Sequence, residues 1–229
     1  MIGILGGTFD PPHWGHIKLA ENFIRQFNLD ELIWLPAGQP WQKNSQITPS
    51  IFRYQLTLAA AEDLKSLLTN QLHTKISVSK MELDRQGPSY TIDTVKELRR
   101  TYGSNESIIW LMGSDSYQNL PTWHHWEDLP TYVHLAVASR PIGTFKNNLS
   151  SQEVLKKLEP FICTNPNELA NSAAGKVYFD MNFCVELSST ELRSQLQTNQ
   201  SDQELLKSVP PRVLEIIHSL GIYTSKPGL

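Results

Sequence analysis

Residues 6 to 16, Gly6-Gly7-Thr8-Phe9-Asp10-Pro11-Pro12-His13-Trp14-Gly15-His16, have the types and spacing that phosphate chemistry needs. Gly6-Gly7 lets the chain turn sharply and lets a phosphate approach the backbone. Pro11-Pro12 stiffens the loop that follows. His13 and His16, three apart at a helix start, can point the same way, with Gly15 leaving space between them. Two imidazoles beside converging N–H groups suit a polyphosphate whose charge grows during reaction. A zinc site is the other chemical reading, but His-x-x-His supplies two ligands and no Cys or third His lies nearby in sequence. The plain reading is that both rings only cap or pack the helix. Neither GxGxxG nor GxxxxGK[ST] is present, which argues against a dinucleotide-type hydride enzyme and a P-loop NTPase.

Short apolar runs alternating with segments of helical period must position this loop. Ile2–Leu5, Glu31–Pro36, Lys75–Ser79, Ile108–Met112 and Val133–Ala138 read as strands. Between them, Ile17, Ala20, Phe23, Ile24 and Phe27 fall on one helical face. Thr48-Pro49 reads as an N-cap with proline at the first helical position, followed by Phe52, Leu56, Ala59, Ala60, Leu64 and Leu67. Ile92, Val95, Leu98 and Tyr102 mark a third helix. The alternation predicts an α/β fold with a doubly wound parallel sheet, whose ligand lies outside the carboxyl ends of the strands. Residues 142–175, rich in Asn, Ser and Pro with one weak helix at Gln152–Leu158, read as an irregular, mobile excursion. Val177–Phe179 and Phe183–Leu187 are short apolar pieces. A last helix starts after Pro210-Pro211 and stops at Gly221.

The chain has 229 residues, with 20 basic against 23 acidic side chains, a balance that argues against a nucleic-acid or membrane-surface binder. A 40% hydrophobic fraction with six Trp and eight Phe fills a core and excludes wholesale disorder. Cys163 and Cys184 form no CxxC pair and read as reduced thiols. The start has no basic n-region and no apolar run approaches a bilayer span, so the cytoplasm is the expected location.

Further blocks follow the first in order: Leu35-Pro36 through Pro40-Trp41-Gln42-Lys43, Gly87-Pro88-Ser89-Tyr90-Thr91, Gly113-Ser114-Asp115-Ser116 with Trp123 and Trp126, Leu187 to Arg193 (LSSTELR), and the closing VPPRVLEIIHSLGIY. With GGTFDPPHWGH as an HxGH signature, the set resembles the nicotinate-nucleotide adenylyltransferase family of the HxGH nucleotidylyltransferase superfamily. The resemblance implies a Rossmann-like nucleotidylyltransferase fold over a single domain, 1–229, with a small C-terminal helical part at 188–229 carrying SSTELR. It implies transfer of the adenylyl group of ATP to nicotinate mononucleotide, with Mg²⁺ accompanying ATP and no protein metal site. The expected partners are these small molecules, with a homodimer allowed and neither nucleic acid nor membrane.

By the same resemblance, Gly6, Gly7, Thr8 and Phe9 cradle the phosphates, His16 meets the α-phosphate and His13 the distal ones. Ser189, Thr190 and Arg193 open a second helix over the β- and γ-phosphates, and Lys43 comes from the loop after the second strand. Tyr90 and Thr91 open the helix that receives the nicotinate carboxylate, Trp123 stacks on the pyridine, Asp115 bonds a ribose hydroxyl, and His124 contributes its backbone. For both tryptophans simple packing, and for Asp115 a capping role, are the plain alternatives. Nearby phosphate should raise both histidine pKa values. The chain departs from the family pattern at Trp41-Gln42, where PPHK is usual, and at His124, where Tyr is frequent. Val78 to Glu82 (VSKME) is superficially similar to the KMSKS signature of class I aminoacyl-tRNA synthetases, but it reads as part of a strand. Two other readings remain: the same reaction on another phosphate acceptor, and a nucleotide-binding homologue without turnover.

Overall fold

The computed structural model describes residues 1–40, 47–68, 73–138, 154, 156–183, 185, 187–198 and 200–223. Lys43, Gln42 and Cys184 lie outside them. The strands are β1 (Ile2–Gly7), β2 (Glu31–Pro36), β3 (Lys75–Val78), β4 (Ile108–Gly113), β5 (His134–Ala138), β6 (Ile162–Cys163) and β7 (Val177–Asp180). They form one sheet in the order β3-β2-β1-β4-β5-β7-β6, every pair parallel. The helices that matter here are α1 (Trp14–Phe27), α2 (Ser50–Leu67), α3 (Thr91–Tyr102), α4 (Ser114–Gln118), α5 (Leu129–Tyr132), α6 (Ser189–Leu196), α7 (Asp202–Leu205) and α8 (Pro211–Leu220).

The period-two alternation of the strands divides their side chains between two cores. Leu5, Leu32, Trp34, Ile109, Leu111 and Ala136 face one side, where α1, α2, α6 and α8 lie. Ile4, Ile33, Leu35, Ile108, Trp110 and Leu135 face the other, covered by α3 and the α4–α5 region. Both faces are thus buried, which is why the strands read as nearly continuous apolar runs. The chain passes from β1 outward to β2 and β3, then returns to place β4 on the opposite side of β1. The β1–β4 junction is therefore the switch point at which such sheets open a crevice.

Three expectations change in detail. The second helix begins at Ser50 with Pro49 as its cap, one residue later than expected, because the Thr48 carbonyl is taken by Arg53 Nε at 2.9 Å. On that helix Leu67 is exposed while Arg53 is only 1% exposed. The excursion at 142–175 is tied into the sheet in its described part: β6 pairs with β7, and Cys163 and Leu169 are buried in the core. The VSKME run does not stay in a strand, since β3 ends at Val78. Among the described residues no helix is long and apolar enough to cross a membrane.

Candidate active site

A cleft of about 760 Å³ opens across the carboxyl ends of β1 and β4. Its floor is Leu5, Gly6, Gly7, Trp110 and Leu111; its walls come from the starts of α1, α3, α4 and α6 and from Phe183, Val185, Leu187 and Ser188. Gly6 is fixed by packing, because a Cβ there would sit 2.4 Å from the Trp110 ring. Gly7 makes room for Phe9, whose backbone takes a left-handed turn (φ 49°) and whose ring tucks beneath the loop, 5.2 Å from Trp34 and 5.1 Å from His16.

The start of α1 is a capping box made of the two histidines. His13 is the N-cap, and its Nδ1 accepts from Gly15 N–H at 3.1 Å. His16 reaches back, its Nδ1 accepting from His13 N–H at 3.2 Å. The ring centroids lie 3.8 Å apart, and a Cβ on Gly15 would come within 2.8 Å of His13 Nδ1. Capping is thus real, but it leaves a chemical use. With each Nδ1 accepting from a backbone N–H, each neutral ring carries its proton on Nε2. Both rings line the cleft, so the cap sets the tautomer of two donors beside it. Burial pushes the His13 pKa down to about 4.

Facing this cap is a second helix start. Ser188 caps α6, accepting from Glu191 N–H at 3.1 Å, and the Ser189 hydroxyl donates to the Pro11 carbonyl at 3.0 Å. Ser188, Ser189 and Thr190 line the cleft. Arg193 lies behind the lining: its guanidinium donates to the Asp10 carbonyl at 2.7 Å and to the Thr190 hydroxyl at 3.3 Å. On the opposite wall, Thr91, Asp115, Trp123 and His124 line the cleft. Tyr90 stands just outside as the N-cap of α3, its ring 4.5 Å from His124. Asp115 is exposed and α4 has no side-chain cap, so the capping role does not apply. Trp123 meets Trp110 edge-on at 6.5 Å, whereas Trp126 is buried in the core. Among the described residues no cluster of three or more His, Cys, Asp or Glu side chains is placed to hold a metal ion.

The cytidylyltransferase-like family model matches residues 4–195. A protein of Herminiimonas arsenicoxydans described as a probable nicotinate-nucleotide adenylyltransferase is 32% identical over 227 residues, spanning 98% of this chain and 97% of its own. One of Moorella thermoacetica with the same description is 32% identical over 223 residues, spanning 97% and 91%. The chain belongs to the nicotinate-nucleotide adenylyltransferase family. The fold agrees: the nicotinic acid mononucleotide adenylyltransferase of Plasmodium falciparum, solved complexed with NaAD, superposes with a TM-score of 0.70 at 19% identity, covering 97% of this chain and 96% of that one.

Beneath the family motifs lies a polar network that the sequence did not announce. Arg53 donates to three main-chain carbonyls, Thr48 through Nε, Thr8 through Nη1 and Gly38 through Nη2, each at 2.9 Å. Burial lowers its pKa, and the Asp10 carboxylate opposes that shift. Asp10, itself buried, also receives the Tyr223 hydroxyl at 2.5 Å, and burial with that bond raises the tyrosine pKa. On the acceptor side, Glu82 accepts from Thr94 Oγ1 at 2.7 Å, and Ser89 Oγ accepts from Gly38 N–H and Gln39 N–H, both at 3.0 Å. Burial raises the Glu82 pKa against these bonds. One signal pointed to Arg53: it shares the helical stripe of Leu56, Ala60 and Leu64, where a charge needs buried partners.

Proposed function

We propose that the protein transfers the adenylyl group of ATP to nicotinate mononucleotide, forming nicotinate adenine dinucleotide and releasing pyrophosphate, a step of NAD biosynthesis. What carries the reading is the cleft-lining histidine capping box in a chain whose relatives, over nearly its whole length, bear that activity in their names. The acceptor phosphate is already an anion at neutral pH, so no side chain has to activate it. Its oxygen attacks the α-phosphorus in line, the bond to the bridging oxygen breaks, and the pair of electrons leaves with pyrophosphate. The protein's work is positioning and neutralising charge.

In this reading Gly6, Gly7, Thr8 and Phe9 form the phosphate cradle, His16 donates to the α-phosphate and His13 to the distal phosphates. The start of α6, with Ser189 and Thr190, faces the leaving pyrophosphate, where helix N–H groups favour an anion. Arg193 supports that start from behind through Asp10 and Thr190. Lys43 is assigned to the phosphates on the family pattern alone. On the other wall Trp123 stacks on the pyridine, Asp115 bonds a ribose hydroxyl, and the start of α3 at Tyr90 and Thr91, with the His124 backbone, meets the nicotinate carboxylate. An amide there would present its own NH₂ donors to N–H groups and bind less well. Mg²⁺ fits as an ion brought by the triphosphate, because it keeps waters and takes few protein carboxylates; Asp115 and Glu191 are exposed carboxylates lining the cleft.

Pyrophosphate release from Mg·ATP, measured with nicotinate mononucleotide and nicotinamide mononucleotide side by side, tests this. Release that depends on the acid and is slower with the amide is expected. ATP turnover indifferent to both pyridine nucleotides, or binding of both substrates without release, overturns it.

A further inference from the structure

Two loops that border the cleft leave the sheet together and then part: the phosphate loop after β1, and the loop after β2 that braces the acceptor-side 87–91 turn through Ser89. The β1–β2 ladder ends at Gly7 and Pro36, with one more bond from Ala37 N–H to the Gly7 carbonyl at 2.9 Å. Beyond it Thr8 continues into the phosphate loop and Gly38 into the loop beneath the 87–91 turn. Arg53 takes over where the ladder stops: one guanidinium holds the Thr8 carbonyl and the Gly38 carbonyl at the same time, and anchors Thr48, at the start of its own helix, with its third nitrogen. The fork is planar and rigid, so it fixes a distance between its partners as a flexible ammonium does not. It is 1% exposed, and Asp10, 2% exposed, and Glu82, 4% exposed, supply the facing negative charge. Glu82 and Ser89 extend the hold on the acceptor side, since Ser89 Oγ accepts from both Gly38 and Gln39.

Resting on the proposed adenylyl transfer, we infer that Arg53 is a positioning residue that sets the separation between the phosphate loop and the loop bracing the acceptor-side 87–91 turn, and so the in-line distance between the attacking oxygen and the α-phosphorus. It is not among the residues that line the cleft. The transfer step needs the phosphate loop and the acceptor-side 87–91 turn at a fixed separation, a demand that binding either substrate alone does not make. Small misplacements of reacting groups by residues remote from them cost on the order of 10²-fold.

The test compares wild type, Arg53→Lys and Ser89→Ala, with Arg99→Lys as a control whose guanidinium also binds main-chain carbonyls but at the far end of the sheet. For each, the Kd of a non-hydrolysable ATP analogue and of nicotinate mononucleotide is measured singly, together with kcat at saturation of both and the melting temperature. Arg53→Lys should keep each Kd within about threefold while kcat falls by about 10- to 100-fold. Ser89→Ala, which loosens only the acceptor-side brace, should show a smaller loss of the same kind. Arg99→Lys should melt earlier with kcat unchanged. A wild-type kcat in folded Arg53→Lys overturns the inference, as does a kcat loss matched by Arg99→Lys. If Arg53→Lys does not fold, a wild-type kcat in Ser89→Ala overturns it. Absence of turnover in the wild type overturns the proposed function instead, so the two failures are distinct.

Discussion

The two ends of the sheet use the same side chains for different purposes. At the amino end Arg99 donates to the carbonyls of Tyr132, Gly103, Glu106 and Ala173, stapling the segments that lead into β4, β5 and β7. There His134, fully buried, has its Nε2 2.8 Å from the Ser172 carbonyl while its Nδ1 accepts from Lys176 N–H at 3.0 Å. At the carboxyl end Arg53 staples loops instead of strand entries, and His13 spends one nitrogen on the helix cap while its ring lines the cleft. The arginines are alike in turning inward at both ends; the histidines differ, since both His134 nitrogens meet the backbone while the His13 ring that caps α1 also lines the cleft, where a ligand can meet it.

The sharpest way to break this contrast is His16→Ala. It removes one donor from the proposed α-phosphate contact, and such losses cost on the order of 10²–10³ in kcat. The variant also loses the capping acceptor for His13 N–H, about 1 kcal/mol. A kcat near wild type would remove His16 from the mechanism. A collapse of the melting temperature beyond a few degrees would instead make it a structural residue like His134.

Arg99→Met probes the opposite end. Losing several charge-assisted bonds to carbonyls at a half-buried site should lower stability by about 2–4 kcal/mol, or roughly 4–16 °C in Tm for a chain of this size. Turnover by the folded fraction should stay at the wild-type rate. Chemical denaturation read alongside kcat at low temperature checks both. A fall in kcat that tracks the substitution would mean that the amino end also sets the geometry of the cleft.

Strands β1 to β5 and the switch-point crevice were legible because burial on both faces writes long apolar runs, whereas β7 showed only as the short apolar piece Val177–Phe179. The two residues of β6 were not, because a pair of residues has no period to read. The role of Gly15 could be assigned from the sequence, since imidazoles three positions apart at a helix start need space between them that a residue without a side chain leaves. Trp123 and Trp126 looked alike in sequence, and only packing separates the cleft wall from the core. Arg53 escaped notice because a single arginine in a helix reads as solvated. Its three partners lie 45, 15 and 5 residues away, a convergence that exists only in the folded chain.

The smallest effect separates the two buried histidines by acid. His13 in the folded protein holds off protonation until about pH 4, whereas an unfolded chain takes the proton near 6.5. Between those values the unfolded state binds more protons, so stability falls as pH falls. The stabilisation from neutral His13 is complete above the unfolded value, and its loss reaches roughly 2 kcal/mol by pH 5. Burial lowers the His134 pKa as well, so it adds a loss of the same sign. In His13→Asn the amide oxygen can still cap α1, but the titrating ring is gone. The drop in melting temperature between pH 7.5 and pH 5 should therefore shrink by about 4–8 °C relative to wild type, and what remains includes the share of His134. Pyrophosphate, by placing anionic charge against the cleft, should raise the His13 pKa and reduce the acid loss of wild type but not of the variant. Equal acid losses in both proteins, with and without pyrophosphate, would show that His13 is no more exposed to ligand charge than His134, and the contrast between the two ends would fail at its histidines.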